Sequence, residues 1–144
     1  VHMDFDAVVT AVETKDEFDI GMAALTIAED RAQIVNFSDP YFDTTQVLIA
    51  RAAAVTPFDY CSSKAEFENA LASLKGAKIG GQVGTTGQQY VYGNESLGFA
   101  GYKNVEFSGF ESPGLAVQSM LNGNIDYVIV DKAIAINLLK NFNK

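Results

Sequence analysis

Apolar positions recur with two periods along the chain, and the second half is the more regular. Phe67, Ala70, Leu71 and Leu74 fall at i, i+3, i+4 and i+7. That spacing marks one face of a helix, bracketed by a Ser63/Glu66 capping box and by Gly76 as its stop. Residues 77–82 read as a short strand, and Gly84-Thr85-Thr86-Gly87 turns into a helix over 88–92. A loop over 93–101 leads to a strand at 105–108. Ser112 as N-cap and Pro113 at the first helical position open a helix over 113–121, with Ala116, Val117, Met120 and Leu121 inward and Asn122-Gly123 as its end. Residues 125–130 form an apolar strand, and Asp131 opens a last helix over 132–139. This alternation predicts an α/β fold with a mainly parallel sheet covered on both faces, the polar segment after each strand gathered on one edge.

The first half is patterned less evenly. After Asp4 or Asp6, residues 7–14 read as a helix with Val8, Val9 and Val12 inward, closed by the polar turn Lys15-Asp16-Glu17. The run after Phe18 reads as a strand over 18–25 buried on both faces. Thr26 with Glu29 gives a second capping box, starting a helix on which Ile27, Arg31, Ile34 and Val35 share one side. Pro40, in Phe37-Ser38-Asp39-Pro40, ends any helix there. A strand over 45–51 and a connector over 52–57 follow. Arg31 thus sits on an apolar stripe. Its guanidinium must meet an anion, pair internally or carry its charge out to water.

Composition narrows the chemistry. The 144 residues fit one domain or slightly more, and 48% are apolar, enough for a proper core. A net charge of −8 argues against nucleic acid or an anionic membrane as partner. One cysteine, Cys61, excludes an internal disulfide and multi-cysteine metal sites, and the one histidine, His2, lies at the start of the chain. Metal catalysis through His or Cys, and Ser-His or Cys-His nucleophiles, therefore lack their parts. No run approaches a membrane span, and the opening Val-His-Met reads as a trimmed or recombinant start.

Open parallel sheets bind ligands beyond the carboxyl ends of their strands. Thr26, the segment 84–87 and Asp131 each follow a predicted strand. Thr86 and Gly87 offer N–H groups and a hydroxyl to a carboxylate, or merely make a tight turn. Gln88 rules out a phosphate-binding P-loop, which requires Lys after that glycine. Asp131 pairs with a ligand ammonium or caps the last helix, and Thr26 either binds ligand or caps its own helix, a use that leaves its hydroxyl less capacity for a ligand. Tyr41, Phe42, Tyr90 and Tyr92 line a pocket or fill the core. Together these groups supply a fixed cation, an anion and neutral donors, the set a zwitterion requires, with charged hydrogen bonds contributing roughly 1.5–3 kcal/mol each.

The segments MDFDAVVTAV, FDIGMAALTIAEDRAQIVNFSDPYF, KIGGQVGTTGQQY and NGNIDYVIVDKAIA resemble the polar amino-acid-binding proteins of ABC importers, periplasmic binding proteins of the type II fold. The resemblance covers nearly the whole chain, and its second segment is the specific one. It implies two α/β lobes closing on an amino acid. By it, Arg31 clamps the α-carboxylate with Thr26, Thr86 and Gly87, while Asp131 and the Ala24 carbonyl take the α-ammonium. It also implies no enzymatic activity, an ABC permease as partner, and a periplasmic or extracellular location, membrane-anchored in a longer form. Against the family pattern the chain reads as truncated at both ends, with a partial first lobe over 1–49 and a nearly complete second lobe over 50–144. Unpaired strand edges then invite a homodimer. Two alternatives accompany this reading, a cyclohexadienyl dehydratase-like enzyme on the same fold and a sensory binding module outside transport.

Overall fold

A computed structural model describes residues 3–14 and 18–142. Its elements, in order, are α1 (Ala7–Glu13), α2 (Glu29–Ala32), β1 (Gln46–Ala50), α3 (Lys64–Ser73), β2 (Ala77–Gln82), α4 (Thr86–Tyr92), β3 (Val105–Phe110), α5 (Pro113–Leu121), β4 (Tyr127–Asp131) and α6 (Lys132–Phe142). The strands form one sheet in the order β1-β4-β2-β3. Strands β4, β2 and β3 run parallel, and β1 lies antiparallel on the outside of β4.

Strand β4 holds the fold together because it is buried on both faces. Val128 and Val130 join Ile49, Ala116, Val117, Met120, Ile125 and Ala135 in one cluster, while Ile129 joins Leu71, Ile79 and Val91 in the other. Alternate residues of a strand point to opposite faces, so an unbroken apolar run feeds two cores at once. Helices α5 and α6 cover the first face and α3 and α4 the second. From β2 the chain crosses through α4 on one face to β3, then back through α5 on the other face to β4. Reversing both direction and face keeps the hand of the crossover constant, as right-handed connections demand.

The ends of these helices explain their positions. Ser63 accepts from the Glu66 N–H at 3.3 Å, and the Glu66 carboxylate reaches back to the Ser62 N–H and hydroxyl. Gly76, with φ +66°, lies beyond the end of α3 and does not close it. Asn104 does so instead, its side-chain amide donating to the Leu71 and Leu74 carbonyls at 3.0 and 2.7 Å. Ser112 accepts from the Leu115 N–H at 3.3 Å, with Pro113 in the first turn of α5 as the sequence predicts.

The structure departs from the sequence pattern at several points. No strand forms over 18–25, where Ile20 and Met22 are 81% and 84% exposed and Ala24 takes a left-handed φ of 49°. A strand exists only with a neighbour to bond, and no described strand lies beside this run. The Thr26/Glu29 capping box does not form either. Helix α2 starts at Glu29 behind Ala28, without a side-chain cap, and the Thr26 hydroxyl is used elsewhere. Arg31 is inward as expected, at 8% exposed, but Ile27 and Ile34, expected on the same side, are each 48% exposed. Leu121, expected inward, is also 48% exposed. Helix α4 begins at Thr86, ahead of the expected 88, and β3 extends to Phe110. The 49/50 division cuts through β1, whose residues all pair with β4. The turn at Lys15-Asp16-Glu17 and His2 lie outside the described residues.

Candidate functional site

Strands β2 and β4 are parallel neighbours, Gly80 lying beside Val128, yet the helices that follow them leave on opposite faces. Such a divergence opens a crevice at the carboxyl ends of the two strands. The β2–α4 turn stands on one side of it and Asp131, the last residue of β4, on the other.

On the first side, Arg31 is the centre. Its Nη1 donates to the Thr26 carbonyl at 3.1 Å and its Nη2 to the Gly84 carbonyl at 2.8 Å, so one guanidinium ties the N-terminal segment to the sheet edge. The Phe5 ring centroid lies 6.0 Å from its Cζ. Burial lowers the guanidinium pKa and the neighbouring Asp30 opposes this. Among the described residues the one ion pair is Lys64–Glu68, so the buried Arg31 guanidinium has no carboxylate within ion-pair distance. The Thr26 and Thr86 hydroxyls meet at 2.6 Å beside it. Gly84 makes the approach possible. It has φ +74°, and a Cβ there would fall 2.6 Å from Asp6 Cβ, a clash only glycine avoids.

On the second side, the Asp131 carboxylate accepts a hydrogen bond from the Gln46 side-chain amide. The two residues are direct cross-strand partners at the end of the β1–β4 ladder. Burial raises the Asp131 pKa from its ordinary value, and the Gln46 N–H works against that rise. Gly87 is buried and packs against this pair through Gln46 and Ile129.

The predicted residues therefore fall into two groups joined by consecutive positions of α4. Thr26, Arg31 and Thr86 come together, and Gly87 lies with Asp131. Ala24 takes part in none of the hydrogen bonds of either group, its N–H being bonded to the Tyr41 hydroxyl at 2.9 Å. Ala24 and Thr26 line a cavity of about 270 Å³ with Phe37, Asp39, Tyr41 and Phe42. A neighbouring cavity of about 360 Å³ runs between α1 and the segment from Asp19 to Leu25. Arg31, Thr86, Gly87 and Asp131 line neither. Of the aromatic candidates, Tyr41 and Phe42 line the first cavity, while Tyr90 packs against the core that holds Val91.

One participant, Gln46, escapes sequence reasoning altogether, and two candidates, Gly84 and Tyr41, make bonds that it does not specify. Gln46 and the Gly84 carbonyl join the site through long-range pairing, and Tyr41 reaches Ala24 across a turn; none of these leaves a local periodic signal. Among the described residues no group of three or more His, Cys, Asp or Glu could hold a metal ion, and no helix is long and apolar enough to cross a membrane.

The chain is 32% identical to a probable histidine-binding protein of Neisseria gonorrhoeae over 141 residues, covering 97% of this chain and 46% of that protein. It is 26% identical to the ABC transporter arginine-binding protein 1 of Escherichia coli (strain K12), over 94% of this chain and 47% of that one. Among solved structures, the ancestral amino acid-binding protein AncCDT-1, a precursor of cyclohexadienyl dehydratase, superposes with a TM-score of 0.77 at 28% identity, over 97% of this chain and 55% of the other. The fold is that of type II periplasmic binding proteins, and the chain spans about half the length of the curated relatives it matches. Residues 1–90 match the profile of the bacterial extracellular solute-binding proteins, family 3, and with the type II architecture described above this chain belongs to that family.

Proposed function

We propose that the chain carries one face of an amino-acid-binding cleft in an extracytoplasmic solute-binding protein that serves an ABC transporter. Arg31 receives the α-carboxylate with the hydroxyls of Thr26 and Thr86 and the backbone of Thr86 and Gly87. Asp131 receives the α-ammonium, with the Ala24 carbonyl as a second acceptor. The observation that carries this reading is a pair of opposite charges at one sheet edge, Arg31 and Asp131, neither with an oppositely charged partner among the described residues. Buried charges are costly unless paired, and a zwitterion pairs both. The relatives named for histidine and arginine make a basic amino acid the first ligand to test.

The remaining assignments follow from this reading. The protein acts in the periplasm or outside the cell, free or membrane-anchored in a longer form, with a permease as partner. A first lobe over 1–49 and a second over 50–144 is the proposed division, with β1 shared at the boundary. Among the described residues, strands β1 and β3 each pair on one side only, and a second copy adding along such an edge makes a homodimer. Sedimentation showing monomer alone at high micromolar concentration counts against that dimer. The protein is not an enzyme, so no turnover of prephenate or arogenate is expected despite the likeness to a dehydratase precursor.

Thermal melts of the chain with L-arginine, L-histidine and neutral amino acids test the central reading. A ligand at 100 times its Kd adds about 2.7 kcal/mol. The expected result is a raised Tm with a basic amino acid, lost in Arg31→Ala when each variant is compared with its own ligand-free melt. No shift with any amino acid, or an equal shift in Arg31→Ala, refutes it.

A further inference from the structure

Gln46 has no part in the ligand contacts proposed above, yet its side chain is placed with unusual restraint. It opens β1 directly opposite Asp131, and its Nε2 donates to Asp131 Oδ1. Its Oε1 is buried and has no hydrogen-bond partner among the described residues. That oxygen lies against Gly87, where an added Cβ would come within 3.1 Å of it and within 3.3 Å of Ile129 Cγ2. A buried acceptor without a donor is costly. The amide at 46 therefore gives up one bond in order to make another, the charge-assisted bond to the carboxylate.

We infer that Gln46 is a positioning residue for ligand binding, which fixes the Asp131 carboxylate by one oxygen and leaves the other for an incoming ammonium, and that Gly87 is glycine because this amide needs the room. The inference rests on the reading of Asp131 as the ammonium's partner. It gives Gly87 a second duty beside its backbone N–H, that of spacing. A methyl group at 87 would press on the amide and loosen its hold on Asp131.

Two measurements test this, one of them independent of any ligand. The first follows the Asp131 carboxyl carbon by ¹³C NMR as pH is varied. Removing a donor from a carboxylate disfavours its charged form, so Gln46→Leu should move the Asp131 midpoint upward, and Gly87→Ala should move it the same way by less. An unchanged midpoint in Gln46→Leu overturns the inference. Should that variant fail to fold, Gln46→Asn, too short to reach, gives the same readout.

The second measurement compares binding of L-arginine with binding of 5-guanidinopentanoate, which lacks the α-amine. Gln46→Leu should weaken L-arginine about tenfold, as expected for a charge-assisted contact, and leave the analogue within about twofold. Equal weakening of both means that Gln46 only supports the fold, which also overturns the inference. Asp131→Asn separates the two levels. If it leaves L-arginine binding unchanged, the ammonium reading fails, while an upward midpoint in Gln46→Leu still establishes the hold of Gln46 on Asp131.

Discussion

The hydroxyls of Thr26 and Thr86, sixty residues apart in the chain, lie 2.6 Å from each other. Together with the bonds from Arg31 to the Thr26 and Gly84 carbonyls, they fasten the N-terminal segment to the edge of the sheet. Replacing either threonine by valine keeps its shape and removes the bond, at a cost of about 0.5–1.5 kcal/mol. The double variant should cost distinctly less than the sum of the two singles, because both remove the same contact. Urea denaturation of the four proteins measures this; strict additivity means that the hydroxyls do not interact in solution.

Asp131 makes a prediction about pH whose sign is opposite to that of an ordinary paired carboxylate. Its folded-state pKa is raised by burial. Between the unfolded and folded values the native state binds more protons than the unfolded one, so stability falls as pH rises through that window. Asp131→Asn, which still accepts from Gln46, should be more stable than the parent at pH 7 and no more stable below pH ~3.5, under the unfolded value. Denaturation at the two pH values decides it, and a variant less stable at pH 7 contradicts the assignment.

Asn104 closes the carboxyl end of α3 from a distance in sequence, donating to the carbonyls of both Leu71 and Leu74. Asn104→Ala should destabilise the fold by about 1–2 kcal/mol, since the Leu74 carbonyl loses its side-chain donor and the Leu71 carbonyl keeps only the Leu74 N–H. Asn104→Asp should not restore it, because an ionised carboxylate cannot donate. Chemical denaturation of the three proteins is sufficient.

Ile20 and Met22 are apolar yet almost fully exposed in this chain. Replacing either by serine should change stability by no more than about 0.5 kcal/mol, as for other surface positions. A loss of several kcal/mol would show that residues 18–25 bury themselves as a strand after all.

The second half of the chain was legible because its signals are local and agree with one another. Ser63, Ser112 with Pro113, and the apolar period of Ala116, Val117 and Met120 each specify an element without reference to distant residues, and each appears where expected. The run 18–25 was misread because its apolar residues describe a strand that needs a partner, and none is among the described residues. Arg31 shows a subtler limit. Periodicity places it inward correctly, but Ile27 and Ile34, which share its side in the pattern, are themselves exposed. What buries it is Thr26, Gly84 and Phe5, which no helical period connects. The edge holding Thr86, Gly87 and Asp131 followed from strand order alone, whereas Gln46 required the β1–β4 register.

Gly84 gives the site a mechanical character. Its carbonyl holds Arg31, its N–H is held by the Gln88 side chain at 2.7 Å, and the backbone of Asp6 rests against its missing side chain. Gly84 thus lies between the start of α1 and the guanidinium, closely approached by one and bonded to the other. A displacement of the first helix reaches Arg31 through that carbonyl and through the Phe5 ring, so the geometry at the sheet edge registers how the N-terminal segment is seated.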